Sequence, residues 1–120
     1  MIGIEKLTKY RLCYLATPYS KFPSGIHCAF VEASIFAARL LALGVKVYSP
    51  IAHTHPLAIY GNIDPLNLDI WLPFDAAMMD ASEALLVAEM TGWQTSKGIK
   101  HEIDYFTDAG KDVHFLPYPL

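Results

Sequence analysis

Short apolar runs alternate with longer stretches of helical periodicity along this chain, and that alternation constrains the fold more than any other feature. Residues 11–16, Arg-Leu-Cys-Tyr-Leu-Ala, run into Thr17-Pro18. A brief apolar run stopped by a proline reads as a buried parallel strand. The loop from Thr17 to Gly25 holds Pro18 and Pro23, which exclude regular structure there. Residues 27–43 then place Phe30, Ala33, Ala37, Leu40 and Leu41 on one helical stripe, with Gly44 set to end the helix in the left-handed region. Residues 45–49, Val-Lys-Val-Tyr-Ser, form a second strand before Pro50. Residues 51–69 contain Pro56, Gly61 and Pro65 and are expected to be a long connection with one short helical turn. A helix follows from Trp71 to Ala81, with Pro73 tolerated in its first turn. Residues 84–88 are a third strand, Thr95 or Ser96 caps a helix reaching Asp108, Gly110 ends it, and residues 113–116 are a fourth strand.

The order β-α-β-α-β-α-β predicts an α/β domain of the flavodoxin/Rossmann-like kind, a three-layer sandwich with a mainly parallel sheet of four to five strands. Residues 1–9 read as a short leader and residues 10–120 as a single domain. Ligands of such sheets bind outside the carboxyl ends of the strands. The loops starting at Thr17, Pro50 and Met90 are therefore expected to share one site.

Composition narrows the partners. A net charge of −3 without a cluster of lysine or arginine excludes a nucleic acid polymer as the main partner, though not a single nucleotide held by backbone N–H groups. The chain is 53% hydrophobic and 18% charged. A mean hydropathy of +0.28 is high enough that a partner subunit is expected to cover apolar surface. No apolar run reaches the ~18 residues that span a bilayer, and the start is too short and too charged for a signal peptide. No membrane partner and a cytoplasmic location are expected. Cys13 and Cys28 lie in apolar segments, which predicts buried free thiols rather than a disulfide.

Several residues have the chemistry and the position to form a site. On the last helix Ile99, Ile103 and Phe106 make an apolar stripe, and Glu102 sits about 60° from its centre. Gly98, one turn earlier, leaves room above it. By position alone Glu102 is either an attacking carboxylate at a cleft edge or a solvated acid near a helix start. Asp75 is bracketed by Trp71, Leu72, Met78 and Met79, so burial would raise its pKa and suit it to hold a proton near neutrality, unless it is merely an acid on the core rim. Tyr14 could set its hydroxyl over the site or simply fill the core. Ser96 could offer its hydroxyl to a phosphate or act as a plain N-cap. His53-Thr54-His55, read as extended, admits a shared metal ion, but no third ligand lies at a persuasive spacing. The pair fits better as cleft lining beside a base. No P-loop and no Gly-x-Gly-x-x-Gly are found, so no ATP, dinucleotide or other cofactor is expected.

Three segments carry a resemblance: Leu15-Ala16-Thr17-Pro18-Tyr19-Ser20, Thr54-His55-Pro56, and the run from Gly92 and Trp93 through Ser96, Gly98 and Ile99 to Glu102. Together they resemble the nucleoside 2-deoxyribosyltransferase superfamily, which includes deoxynucleoside 5′-monophosphate N-glycosidases, and are closest to a small bacterial and phage branch. The resemblance implies Glu102 as nucleophile, Asp75 as the acid at the leaving base, and Tyr14 as the residue that hydrogen-bonds the nucleophile. It implies substrate-binding roles for Ser96, Gly98, Tyr19, Ser20, His55 and Trp93, and a homodimer or larger assembly. The transferases carry an aspartate where this chain has Ser96, whereas the monophosphate hydrolases carry a serine, which favours a nucleotide hydrolase. The expected activity is cleavage of the N-glycosidic bond of a nucleoside or its 5′-monophosphate through a glutamate glycosyl-enzyme, ended by water or by a second base. Tyr14 would orient Glu102 and keep it ionised. The alternatives are a non-catalytic nucleotide-binding module and a metal-dependent hydrolase using His53 and His55.

Overall fold

The four strands meet in one parallel sheet. The computed structural model describes residues 3–120, so Met1 and Ile2 of the expected leader lie outside it. Strands β1 (Cys13–Ala16), β2 (Val47–Tyr48), β3 (Ala84–Ala88) and β4 (Asp112–Leu116) pair in the order β2-β1-β3-β4. Tyr14 pairs with Tyr48 on one side of β1 and with Leu85 on the other. The strand order reverses at the β1–β3 boundary, where the loops after these strands diverge to opposite faces and leave a crevice.

Side-chain alternation builds a core on each face of the sheet. Cys13 and Leu15, with Ala84, Leu86 and Ala88, pack against Phe36, Ala37 and Leu40 of helix α1 (Ile26–Ala42). Tyr14 and Ala16, with Leu85 and Val87, pack against Ile99 and Phe106 of α4 (Lys97–Asp108) and Met79 of α3 (Leu68–Ala81). Each fully buried leucine contributes roughly 1.5–3 kcal/mol. The result is a flavodoxin/Rossmann-like three-layer fold. Gly44 and Gly110 both take positive φ, +90° and +71°, as their predicted helix-ending roles require.

Four local expectations are corrected. Residues 51–69 are not a loop: Pro50–Gly61 is a twelve-residue helix, α2. Ser49 caps it by accepting from Ala52 N–H at 3.2 Å, and Pro50 occupies the first turn, where its missing N–H costs nothing. Pro56 then sits inside this helix, and Asn62 ends it in the left-handed region at φ +56°. Helix α3 begins at Leu68, capped by Asn67, so Pro73 falls inside it rather than in the first turn. On α1 the buried stripe is Ala29, Ala33, Phe36, Ala37 and Leu40, which leaves Leu41 exposed and Phe30 half-buried. Cys13 is buried as expected, but Cys28 is exposed, because it lies off that stripe.

Within the segment read as a leader, Ile4–Lys9 forms a 3-10 helix whose Leu7 is fully buried in the α1-side core. Among the described residues no helix is long and apolar enough to cross a membrane.

Candidate active site

Three elements bring Tyr14, Asp75 and Glu102 together on the α4 side of the sheet. Tyr14 is fully buried in β1, with its ring 5.9 Å from that of Phe106. Asp75 comes from the middle of α3 and Glu102 from the second turn of α4, and both are partly exposed. Their proximity shows in their proton affinities. Burial pushes Glu102 up to about 8, the Tyr14 hydroxyl opposes that shift, and Asp75 adds to it. Burial pushes Asp75 up to about 6. Tyr14 is raised far above an ordinary tyrosine by burial, then by Glu102 and Asp75. In the free protein burial therefore favours the protonated form of Glu102, whereas the sequence reading expected Tyr14 to keep it ionised. Desolvation outweighs the Tyr14 hydroxyl and the weak helix dipole at that turn.

A further member was not anticipated. Tyr48, at the carboxyl end of β2, is the register partner of Tyr14, with ring centroids 5.8 Å apart. Burial and then Asp75 raise its pKa. The Tyr14 and Tyr48 hydroxyls, Asp75 Oδ1 and Thr17 Oγ1 are buried and find no hydrogen-bond partner among the described residues. Leaving a buried polar atom unpaired costs about 1–3 kcal/mol, so such a concentration marks these groups as candidates for pairing with water or a ligand. Tyr48 could have been found from its place at a strand's carboxyl end beside Tyr14.

The second half of the site is a cavity of about 220 Å³ at the strand-order reversal. The loop after β1 supplies Pro18, Tyr19, Ser20, Lys21 and Pro23, and the loop after β3 supplies Thr91, Gly92, Thr95 and Ser96. Ser96 caps α4 by accepting from Ile99 N–H at 3.2 Å, and its own O–H remains free to donate into the cavity. Lys21 and the amino end of α4 make this the electropositive part of the site. Ser96 lies six positions before Glu102, about 9 Å along the helix axis.

The remaining expected residues divide. Tyr19 and Ser20 line the cavity. Gly98 is exposed, and a Cβ there would meet nothing closer than Ser96 Oγ at 3.8 Å. Trp93 packs on Phe115 at 5.5 Å rather than lining the cavity. His55 is buried under the cavity: it stacks on Phe30 at 4.7 Å, and its Nδ1 bonds the Tyr19 hydroxyl at 2.6 Å. Burial, then His27, lowers its pKa, which keeps the imidazole neutral. His55 thus orients Tyr19 instead of facing a ligand. Because α2 is helical, His53 and His55 diverge by about 200°, and His53 stacks on Phe74 at 5.5 Å. The extended geometry that would let the pair share an ion is absent, and among the described residues no three histidine, cysteine, aspartate or glutamate side chains cluster as metal ligands.

The chain is thus a flavodoxin/Rossmann-like α/β domain with a loop cavity at its switch point. Residues 11–117 match the family described as Domain of unknown function (DUF1937), and the chain belongs to it. No curated protein matches.

Proposed function

We propose that the protein cleaves the N-glycosidic bond of a nucleoside or its 5′-monophosphate, with Glu102 as nucleophile. The observation that carries this reading is the meeting of two carboxyls with unequal, raised proton affinities beside the unpartnered Tyr14 hydroxyl. Between about pH 6 and 8 the pair shares one proton and one negative charge. Attack on the anomeric carbon needs the charge on Glu102 and the proton on Asp75. A bound substrate favours that arrangement: Tyr14 donates to the Glu102 carboxylate, and the base accepts from Asp75. Glu102 then forms a bond to the anomeric carbon as the C–N bond breaks, and the electron pair leaves with the base, which takes the Asp75 proton. Water or a second base later displaces Glu102.

The cavity around Ser96 and Lys21 lies at the amino end of α4, the helix that carries Glu102, and an anion such as a 5′-phosphate suits that position. This supports a monophosphate over a free nucleoside. A homo-oligomer belongs to the same reading: Leu57, Tyr60, Leu66, Leu68 and Leu72 of the α2–α3 region are exposed, and α3 buries Met79 alone.

The test is a panel of ribo- and deoxyribonucleosides and their 5′-monophosphates, with and without an acceptor base, followed by chromatography of released or exchanged base. Release from one substrate supports the reading. Saturable binding without release identifies a non-catalytic nucleotide module instead.

A further inference from the structure

Tyr48 stands apart from the residues that sequence reasoning assigned to the site. Its hydroxyl is buried and unpartnered beside an equally unpartnered Asp75 oxygen. Its ring touches two further aromatic groups, His53 at 5.9 Å and Phe74 at 6.4 Å. His53 and Phe74 are themselves stacked, 5.5 Å apart at 29°, and both are exposed. Phe74 directly precedes Asp75 on α3, and His53 comes from the first turn of α2. Three aromatic rings from three elements thus cluster beside the helix that carries the acid.

The chemistry of this group is specific. A planar heteroaromatic ring gains from lying against aromatic faces. Its edge carries ring nitrogens or carbonyls that accept hydrogen bonds, and a tyrosine hydroxyl donates one while its oxygen can accept another. A sugar or a phosphate would instead need several polar contacts, and the His53–Phe74 face offers few. Removing an unpaired buried hydroxyl should cost no stability, so nothing in the packing explains why β2 ends in tyrosine rather than phenylalanine.

Resting on the N-glycosidic reading above, we propose that Tyr48 is a substrate-contacting residue of this site. Its hydroxyl, together with Asp75, holds the edge of the departing heteroaromatic base, whose plane lies against His53 and Phe74. Tyr48 thereby sets the base's orientation as its bond to the sugar breaks.

The test compares Tyr48→Phe with the wild type on the best substrate of the panel. Ligand binding is measured by calorimetry in the turnover-blocked Glu102→Gln background, with and without Tyr48→Phe. The expected result is a kcat/KM at least roughly tenfold lower and a substrate bound about tenfold more weakly, the size of one hydrogen bond. Binding of ribose 5-phosphate and 2-deoxyribose 5-phosphate, which lack a base, should be unchanged, and the melting temperature should hold or rise. Substrate binding and kcat/KM within twofold of the parent would overturn the role of Tyr48 while leaving the N-glycosidic reading in place. Equal weakening for substrate and sugar phosphate, or a melting temperature several degrees lower, would also overturn it, because the hydroxyl would then serve the sugar or the fold. A wild type that releases no base from any substrate overturns both.

Discussion

Two tyrosine–acid clusters lie on opposite faces of the same sheet, and they are built differently. On the α1 side Tyr10 donates to Asp112 Oδ2 at 2.5 Å and lies 2.8 Å from His114 Nε2, which is left to donate to the phenol oxygen. Tyr10 is buried, and its polar atom is saturated within the protein. On the α4 side the hydroxyls of Tyr14 and Tyr48 and one oxygen of Asp75 are buried without partners among the described residues. Both clusters raise tyrosine pKa values, by burial first and by neighbouring acids next. A perturbed pKa therefore does not separate them, but hydrogen-bond saturation does. The first cluster ties the N-terminal segment to the edge strand β4, and the second withholds its hydrogen-bonding capacity from the fold.

The largest effect should come from Glu102. Glu102→Gln keeps the shape and removes the nucleophile, so base release should fall by roughly 10³-fold or more, with substrate still bound. Steady-state turnover and calorimetric binding check this together. Turnover near the wild-type level would move the chemistry away from this cluster.

The pH dependence follows from the same two acids. Both have folded pKa values above their ordinary ones, about 8 against 4.5 for Glu102 and about 6 against 3.8 for Asp75. The native state therefore holds more protons than the unfolded chain between these limits. Stability contributed by the neutral acids is complete below about pH 4 and is lost as pH rises to about 8. Denaturant unfolding at pH 5 and pH 8.5 should show Glu102→Gln gaining on the wild type at the higher pH, by an amount on the order of 2 kcal/mol. The wild-type kcat/KM should be bell-shaped, with limbs near 6 and 8 that belong to the pair rather than to either acid. A Glu102→Gln stability that tracks the wild type at both pH values would show the acid to be solvated.

The α1-side cluster should respond in the opposite way. Tyr10→Phe removes the hydroxyl shared by Asp112 and His114, and stability should fall by about 1–2 kcal/mol while kcat and KM stay unchanged. Urea titration with parallel kinetics checks it. A change in turnover without loss of stability would erase the distinction between the two clusters.

How much of this could be read from the chain varies by region. The strands were legible because brief apolar runs between turn residues have few other readings, and Ala84–Ala88 has the same bounds in the structure. Helix α2 was not legible, because Pro56 and Gly61 look like breakers when counted alone. The Ser49-Pro50 pair carried the opposite signal, a cap followed by a first-turn proline, and tertiary packing of Ile51, His55 and Ala58 completed the helix. That error also mis-set the histidines, since an extended segment and a helix send residues two apart in different directions. Among the site residues, Glu102, Asp75 and Tyr14 converge, but their proton affinities depend on burial from three elements distant in sequence. No spacing within one helix reports that.

Ser96 combines both behaviours in one side chain, so it gives the smallest and most discriminating effect. As an N-cap it accepts from Ile99 N–H, a pairing internal to the fold. Its hydroxyl proton is uncommitted and borders the cavity with Lys21 and Thr95. Ser96→Ala should lower stability by about 1 kcal/mol through loss of the cap. Ser96→Asp restores a capping oxygen but sets a negative charge against any phosphate, so it should recover most of that stability. If the cavity receives a 5′-phosphate, Ser96→Asp should bind monophosphates at least tenfold more weakly than the wild type while free nucleosides lose little. Thermal melts of the two variants, with binding measured for one nucleoside and its monophosphate, separate the contributions. Equal losses for both ligands would make Ser96 a cap alone and move the phosphate, or the need for one, elsewhere.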